Sequence, residues 1–139
     1  MRQFLPLLLV AIAVVACERR RAPDTRAMVR QTLHGVIVYP HSVELGAAAG
    51  EDAAEITLTT ADSIAPVANW FREVLRLNRW ELQSDVTGAD GSVSIAALRD
   101  KRPMWIMLRP NVGGPGTTYS IIGALVTDAD SVRLPDSLH

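Results

Sequence analysis

Few side chains in this sequence have the types and spacing that bond-making chemistry needs. His34, His41 and His139 form no i, i+4 pair and have no cysteine beside them, so the spacing of a zinc site is missing. A set of His34, His41 and Glu44 is the nearest approach to a ligand group, and surface histidines beside a Pro40 turn are the plainer reading. Ser42 follows His41, but sequence neighbours are not a triad, and neither a Gly-x-Ser-x-Gly elbow nor a Ser-x-x-Lys pair occurs. Asp62 and Ser63 have the types of an acid and a nucleophile, yet capping of a following helix explains both at once. Glu51 and Asp52 fall in a turn, where solvation is their natural role. Gly113-Gly114-Pro115-Gly116 lacks the strand-to-helix setting of a phosphate cradle. The expectation is a protein with no catalytic residue, no metal site and no cofactor.

One reactive group remains: Cys17, the single cysteine. It closes the run Val14-Val15-Ala16-Cys17, which follows Arg2 and an apolar stretch too short for a comfortable membrane span of roughly 20 residues. These four residues resemble the lipobox of bacterial lipoproteins. The resemblance implies cleavage before Cys17, acylation of its thiol, and attachment of the mature chain to a membrane of the bacterial cell envelope, on the periplasmic face. Glu18 is not the aspartate associated in some bacteria with inner-membrane retention, which favours the outer membrane. With its one thiol acylated the chain can form no disulfide, so the fold must rest on packing.

Charge is distributed unevenly, although the formal net charge is only -1. Arg19, Arg20, Arg21, Arg26 and Arg30 follow the cysteine, and acids outnumber bases from His34 onward. Arginines beside a lipidated residue lie within reach of anionic headgroups. A basic tether on an acidic body argues against nucleic-acid binding, which needs a basic face on the folded domain. At 48% hydrophobic the composition is that of a globular domain.

The elements that would position any site follow from periodicity and turn residues. Residues 1–16 are read as the leader, 17–35 as a tether, 36–127 as the folded domain and 128–139 as a polar tail. Within the tether, Asp24 is placed to cap a short helix reaching Leu33. Val36-Ile37-Val38-Tyr39 runs into Pro40, which forces extended backbone. Residues 42–48 and 54–60 flank Gly50-Glu51-Asp52 as a hairpin, with Ile56 and Leu58 alternating against Thr57 and Thr59. A helix starting near Asp62 or Ser63 repeats Val67, Phe71, Val74 and Leu75 on one face, with Pro66 in its first turn and Asn78 as a left-handed C-terminal residue. Four more strands are expected over 80–86, 93–98, 104–109 and 119–126, joined by short turns. The predicted fold class is α+β: an antiparallel sheet of hairpin, helix and meander, with a single helix packed on one face.

From Tyr39 to about Val126 the chain resembles a group of small domains of unknown function in bacterial lipoproteins and envelope proteins. The shared features are Tyr39-Pro40-His41-Ser42, Thr60-Ala61-Asp62-Ser63, the aromatic pair Trp70-Phe71, and Trp80 after the helix. This chain carries Arg79 where a glycine usually precedes the tryptophan. These motifs imply a fold and a location and carry over no active-site residue.

The functional clue is on the outer sheet face. If Ile106 and Leu108 face the helix, Trp105 and Met107 stand on the face that Thr57 and Thr59 leave polar, and Tyr119 is grouped with them as a candidate binding patch. Cover by the tether, the tail or the Tyr39 arm is the competing reading. The expected function is a lipid-anchored, non-enzymatic binding or accessory module, with an envelope protein or peptide as partner. The alternative is a carrier of a small hydrophobic ligand in a helix–sheet groove lined by Trp70, Phe71 and Trp80.

Overall fold

The computed structural model describes residues 24–33 and 36–124. In chain order these form α1 (Thr25–Thr32), β1 (Val43–Ala49), β2 (Ala53–Thr60), α2 (Ile64–Leu77), β3 (Glu81–Thr87), β4 (Val93–Arg99), β5 (Arg102–Pro110) and β6 (Thr117–Ala124). All six strands make one antiparallel sheet in the order β1-β2-β6-β5-β4-β3. The hairpin–helix–meander plan is therefore present, and β6 returns to pair with β2, joining the hairpin to the meander.

The sheet's inner face carries the core. Alternation brings Ala54 and Leu58, then Val93, Ile95 and Ala97, then Met104, Ile106 and Leu108, then Tyr119 and Ile121 to that side. On α2, Val67, Ala68, Phe71 and Leu75 form the apolar stripe that meets them. The expectation of a single helix is incomplete, because α1 also packs on the sheet, against β1 and β2. Val29 and Leu33 are buried in the same core, so the packed body begins upstream of the boundary drawn at residue 36.

Both ends of α2 differ from the sequence reading. Ser63 is the N-cap, but neither its side chain nor that of Asp62 caps the helix. Pro66 occupies the third helical position and has no N–H to offer such an oxygen. At the other end Asn78 is not left-handed; Arg79 is, with φ 59°. The Arg79 N–H bonds the Arg76 carbonyl at 3.2 Å and the Trp80 N–H bonds the Leu75 carbonyl at 2.9 Å, the pattern of a Schellman cap.

A register shift between Leu82 and Ser84 changes β3. Simple alternation sets Asp85 on the wet face with Glu81 and Gln83. The bulge instead pairs Asp85 with Ile95 on the helix side. There Arg72 of α2 grips it with two charge-assisted bonds, Nε to Oδ2 at 2.6 Å and Nη2 to Oδ1 at 2.8 Å. The guanidinium holds the Asp85 carboxyl below its usual range.

Candidate functional site

β5 lies inside the sheet between β6 and β4, so its outer residues stand near the middle of a broad face. Met104, Ile106 and Leu108 are buried, whereas Trp105 is 40% and Met107 37% exposed. Their cross-strand partners are small or slender: Ala96 and Ile122 beside Trp105, Ser94 and Ser120 beside Met107. The two large side chains therefore rise above a floor of short ones. A trough of about 260 Å³ lies next to Met107, lined on this face by Glu55, Met107, Arg109, Thr118 and Ser120. Its cause is a size contrast: outward Thr118 and Ser120 on β6 are short, while Glu55 on β2 and Met107 and Arg109 on β5 are long.

Tyr119, grouped with that patch from sequence, is on the opposite face. Register pairs it with Leu108 and Leu58, and it is 1% exposed. The pairs Tyr119-Ile121 and Ser120-Ile122 each contain an isoleucine, so composition alone left the phase of β6 open. Its hydroxyl donates to Ser42 Oγ at 2.7 Å and accepts the Tyr39 N–H at 3.1 Å. Burial raises its pKa above the ordinary phenol value.

Around Tyr119 the structure assembles a group that sequence reasoning did not foresee. The Tyr39 hydroxyl donates to Asp62 Oδ2 at 2.7 Å. Because that bond favours the neutral phenol, the Tyr39 pKa is also raised. The Tyr39 ring meets Trp70 edge-on at 5.3 Å, Trp70 meets Phe71 at 5.0 Å, and Phe71 meets Tyr119 at 5.2 Å. The Asp62 N–H bonds Thr60 Oγ1 at 3.4 Å, and its carbonyl accepts from Thr117 Oγ1 at 2.8 Å. The separate motifs Tyr39-Pro40-His41-Ser42, Thr60-Ala61-Asp62-Ser63 and Trp70-Phe71 thus converge on one latch. It fastens the extended arm before β1 to the start of α2 and to β6.

Ser42 and Asp62 are engaged by the two tyrosines, and among the described residues no hydrogen bond joins His41 to either. His41 is exposed, with left-handed backbone at φ 58°. Among the described residues no three His, Cys, Asp or Glu side chains stand close enough to hold a metal ion. Cys17, His34 and His139 lie outside the described residues.

The space between α2 and the sheet is nearly full. The arm residues Val36 and Ile37 lie there with Phe71, Leu75, Trp80, Met104 and Ile106, leaving about 10 Å³. That is room on the order of one water. The arm is therefore on the helix side and does not cover Trp105.

No curated protein and no solved structure matches the chain. One family model does, over residues 41–119, from the turn before β1 to the middle of β6, which takes in α2 and all of β3, β4 and β5. Since that stretch is more than half of the 139 residues, the chain belongs to the START domain-like family.

Proposed function

We propose that this protein is a non-catalytic binding module, held at a bacterial envelope membrane by acylation of Cys17, that takes an envelope protein or peptide on its outer sheet face. The observation that carries the docking part is the exposure of Trp105 and Met107 on a face otherwise rich in serine and threonine, beside a trough able to receive a side chain. Tryptophan supplies a rigid apolar anchor and methionine an adaptable one. Arg109 and Glu55 offer charges of both signs at the trough walls. The anchor rests on Val14-Val15-Ala16-Cys17.

Trp105→Ser with Met107→Ser tests the docking face. The expected result is loss of specific crosslinked partners from an envelope preparation, with folding intact; an unchanged partner set removes this reading. Mass spectrometry of the mature product tests the anchor, and an uncut leader or a bare thiol at position 17 overturns it.

Family membership supports a second reading, a small hydrophobic ligand held between α2 and the sheet. With about 10 Å³ there, such a ligand must displace Val36 and Ile37. The tryptophans separate the two, because Trp80 lines the helix side and Trp105 the outer face. Variants keeping one tryptophan each, titrated with fatty acids or apolar peptides, respond at Trp80 for the inner site and at Trp105 for the outer one.

A further inference from the structure

The lower end of the molecule, where the chain turns from α2 into β3 and from β4 into β5, carries four cations. Arg79 follows α2, and Arg99, Lys101 and Arg102 surround the β4–β5 turn, in which Arg99 and Arg102 are directly paired across the strands. Arg79, Lys101 and Arg102 are exposed. The two corners are tied together, since Arg99 Nη1 donates to the Asn78 carbonyl at 3.4 Å and its guanidinium lies 4.5 Å from the centre of the Trp80 ring. Among the described residues, none of these four is ion-paired; the two salt bridges are Arg72–Asp85 and Arg76–Glu73. Among the described residues, the acids beside them in sequence are Asp100 in the turn and Glu81 after Trp80. Glu51 and Asp52 cap the β1–β2 hairpin at the same end. That hairpin is between two strand positions (β2 to β5) and four (β1 to β4) away, roughly 10–19 Å at the usual strand spacing, and so at or beyond a Debye length of about 10 Å at 0.1 M salt.

Backbone geometry makes this cluster informative. Arg79 and Lys101 have φ of 59° and 63°, the left-handed region where glycine is at ease and other L-residues are strained. Asp100, at 51°, completes a two-residue turn of the kind that favours Asn-Gly or Asp-Gly. At two positions where the fold alone favours glycine, the chain carries a cation, and both cations project at the same end. An expense of that kind points to a use for the side chains.

We propose that this end docks on anionic phospholipid headgroups of a bilayer. The cations are spread over two convex turns rather than gathered into a cavity; the space beneath them, lined by Trp80, Arg99 and Arg102 among others, is only about 20 Å³. A spread of this kind matches a plane of charge better than one enclosed anion. Half-buried Trp80, amphipathic and beside the arginines, suits the interface between water and acyl chains. The surface is separate from the Trp105 face, so the two docking events can occur together.

The test uses the full chain with Trp70→Phe and Trp105→Phe, leaving Trp80 as reporter, in vesicles of phosphatidylglycerol or phosphatidylcholine carrying headgroup spin labels. The expected result is quenching of Trp80 in phosphatidylglycerol alone, reversed at 1 M salt, where the Debye length is about 3 Å. Arg79→Gly with Lys101→Gly abolishes the quenching, as expected from about a fivefold loss of surface affinity per cation, while the thermal midpoint stays level or rises. Arg79→Asn with Lys101→Asn, also tolerant of left-handed backbone, must behave alike. Equal quenching in both lipids, or quenching unchanged in either double variant, overturns the proposal. Neither outcome bears on partner capture at Trp105, which is read separately.

Discussion

The Tyr119 hydroxyl is the point where the arm is secured, because it pairs at once with the Tyr39 amide and the Ser42 hydroxyl. Tyr119→Phe preserves the ring and its packing on Phe71 but leaves both partners without that oxygen. The expected cost is about 1–3 kcal/mol, measured by chemical denaturation, with faster hydrogen exchange at the Tyr39 amide than elsewhere in β1. Tyr39 itself sets an alkaline limit. Its folded pKa lies above the unfolded 10.0, so its contribution is complete below pH 10 and is lost as pH rises through the folded value. Tyr39→Phe should flatten the alkaline fall in stability; an unchanged profile would show that the Asp62 bond contributes nothing. Arg79→Gly is expected to stabilise the fold by about 1 kcal/mol, read as a raised thermal midpoint. At this scale the sequence spoke unevenly. Trp105 and Met107 could be placed opposite Ile106 and Leu108 by alternation. Tyr119 could not, since Ile121 and Ile122 put a large apolar residue in each phase of β6. The Tyr39–Asp62 bond was invisible because its partners are 23 residues apart, although both stood in recognisable motifs.

The helix α2 is tied to the sheet at its apolar stripe and at one polar point, Arg72 to Asp85. That pair is 34% and 25% exposed, so solvent screens it, and Asp85→Asn is expected to cost only about 0.5–1 kcal/mol. The folded Asp85 pKa lies below the ordinary carboxylate value. The pair's stabilisation is therefore present above about pH 4 and is lost as pH falls through the folded pKa, and the variant should show a shallower acid limb. The β5–β6 loop is more demanding. Gly116 has φ 106°, and a Cβ there would collide with the Thr60 carbonyl just before α2 begins. Gly116→Ala should cost about 2 kcal/mol or more in thermal or urea unfolding. Elements were the most legible level, because alternation in β2 and β4 and the repeat in α2 each admit one reading, whereas β5 is apolar on both faces and its phase stayed conditional on Ile106 and Leu108 meeting the helix. The β3 bulge was not legible: a one-residue shift leaves no mark on composition, yet it moves Asp85 to the other side of the sheet. The packing of α1 was missed for a related reason, since a few apolar residues amid arginines look like a linker until the sheet that receives Val29 and Leu33 is known.

At the scale of the whole molecule, the two proposed docking surfaces lie on the outer sheet face and at the lower end. One face is closed by α1, the arm and α2; the other presents Trp105 and Met107. Because these two side chains keep part of their surface buried, at 40% and 37% exposed, Trp105→Ser with Met107→Ser should lower unfolding free energy by about 1–2 kcal/mol per site, short of the cost of emptying a core position, while abolishing partner capture. A large loss of stability would mean that the pair serves the core instead. Topology has a further effect, on timing. The strand β6 sits between β2 and β5, so the N-terminal hairpin and the later meander touch as neighbours only through the last described strand. Non-local closure of this kind is slow. A chain delivered from its N-terminus cannot complete its hydrogen-bonded ladder until nearly all of it has emerged, and a nascent or threading polypeptide stays pliable up to that moment.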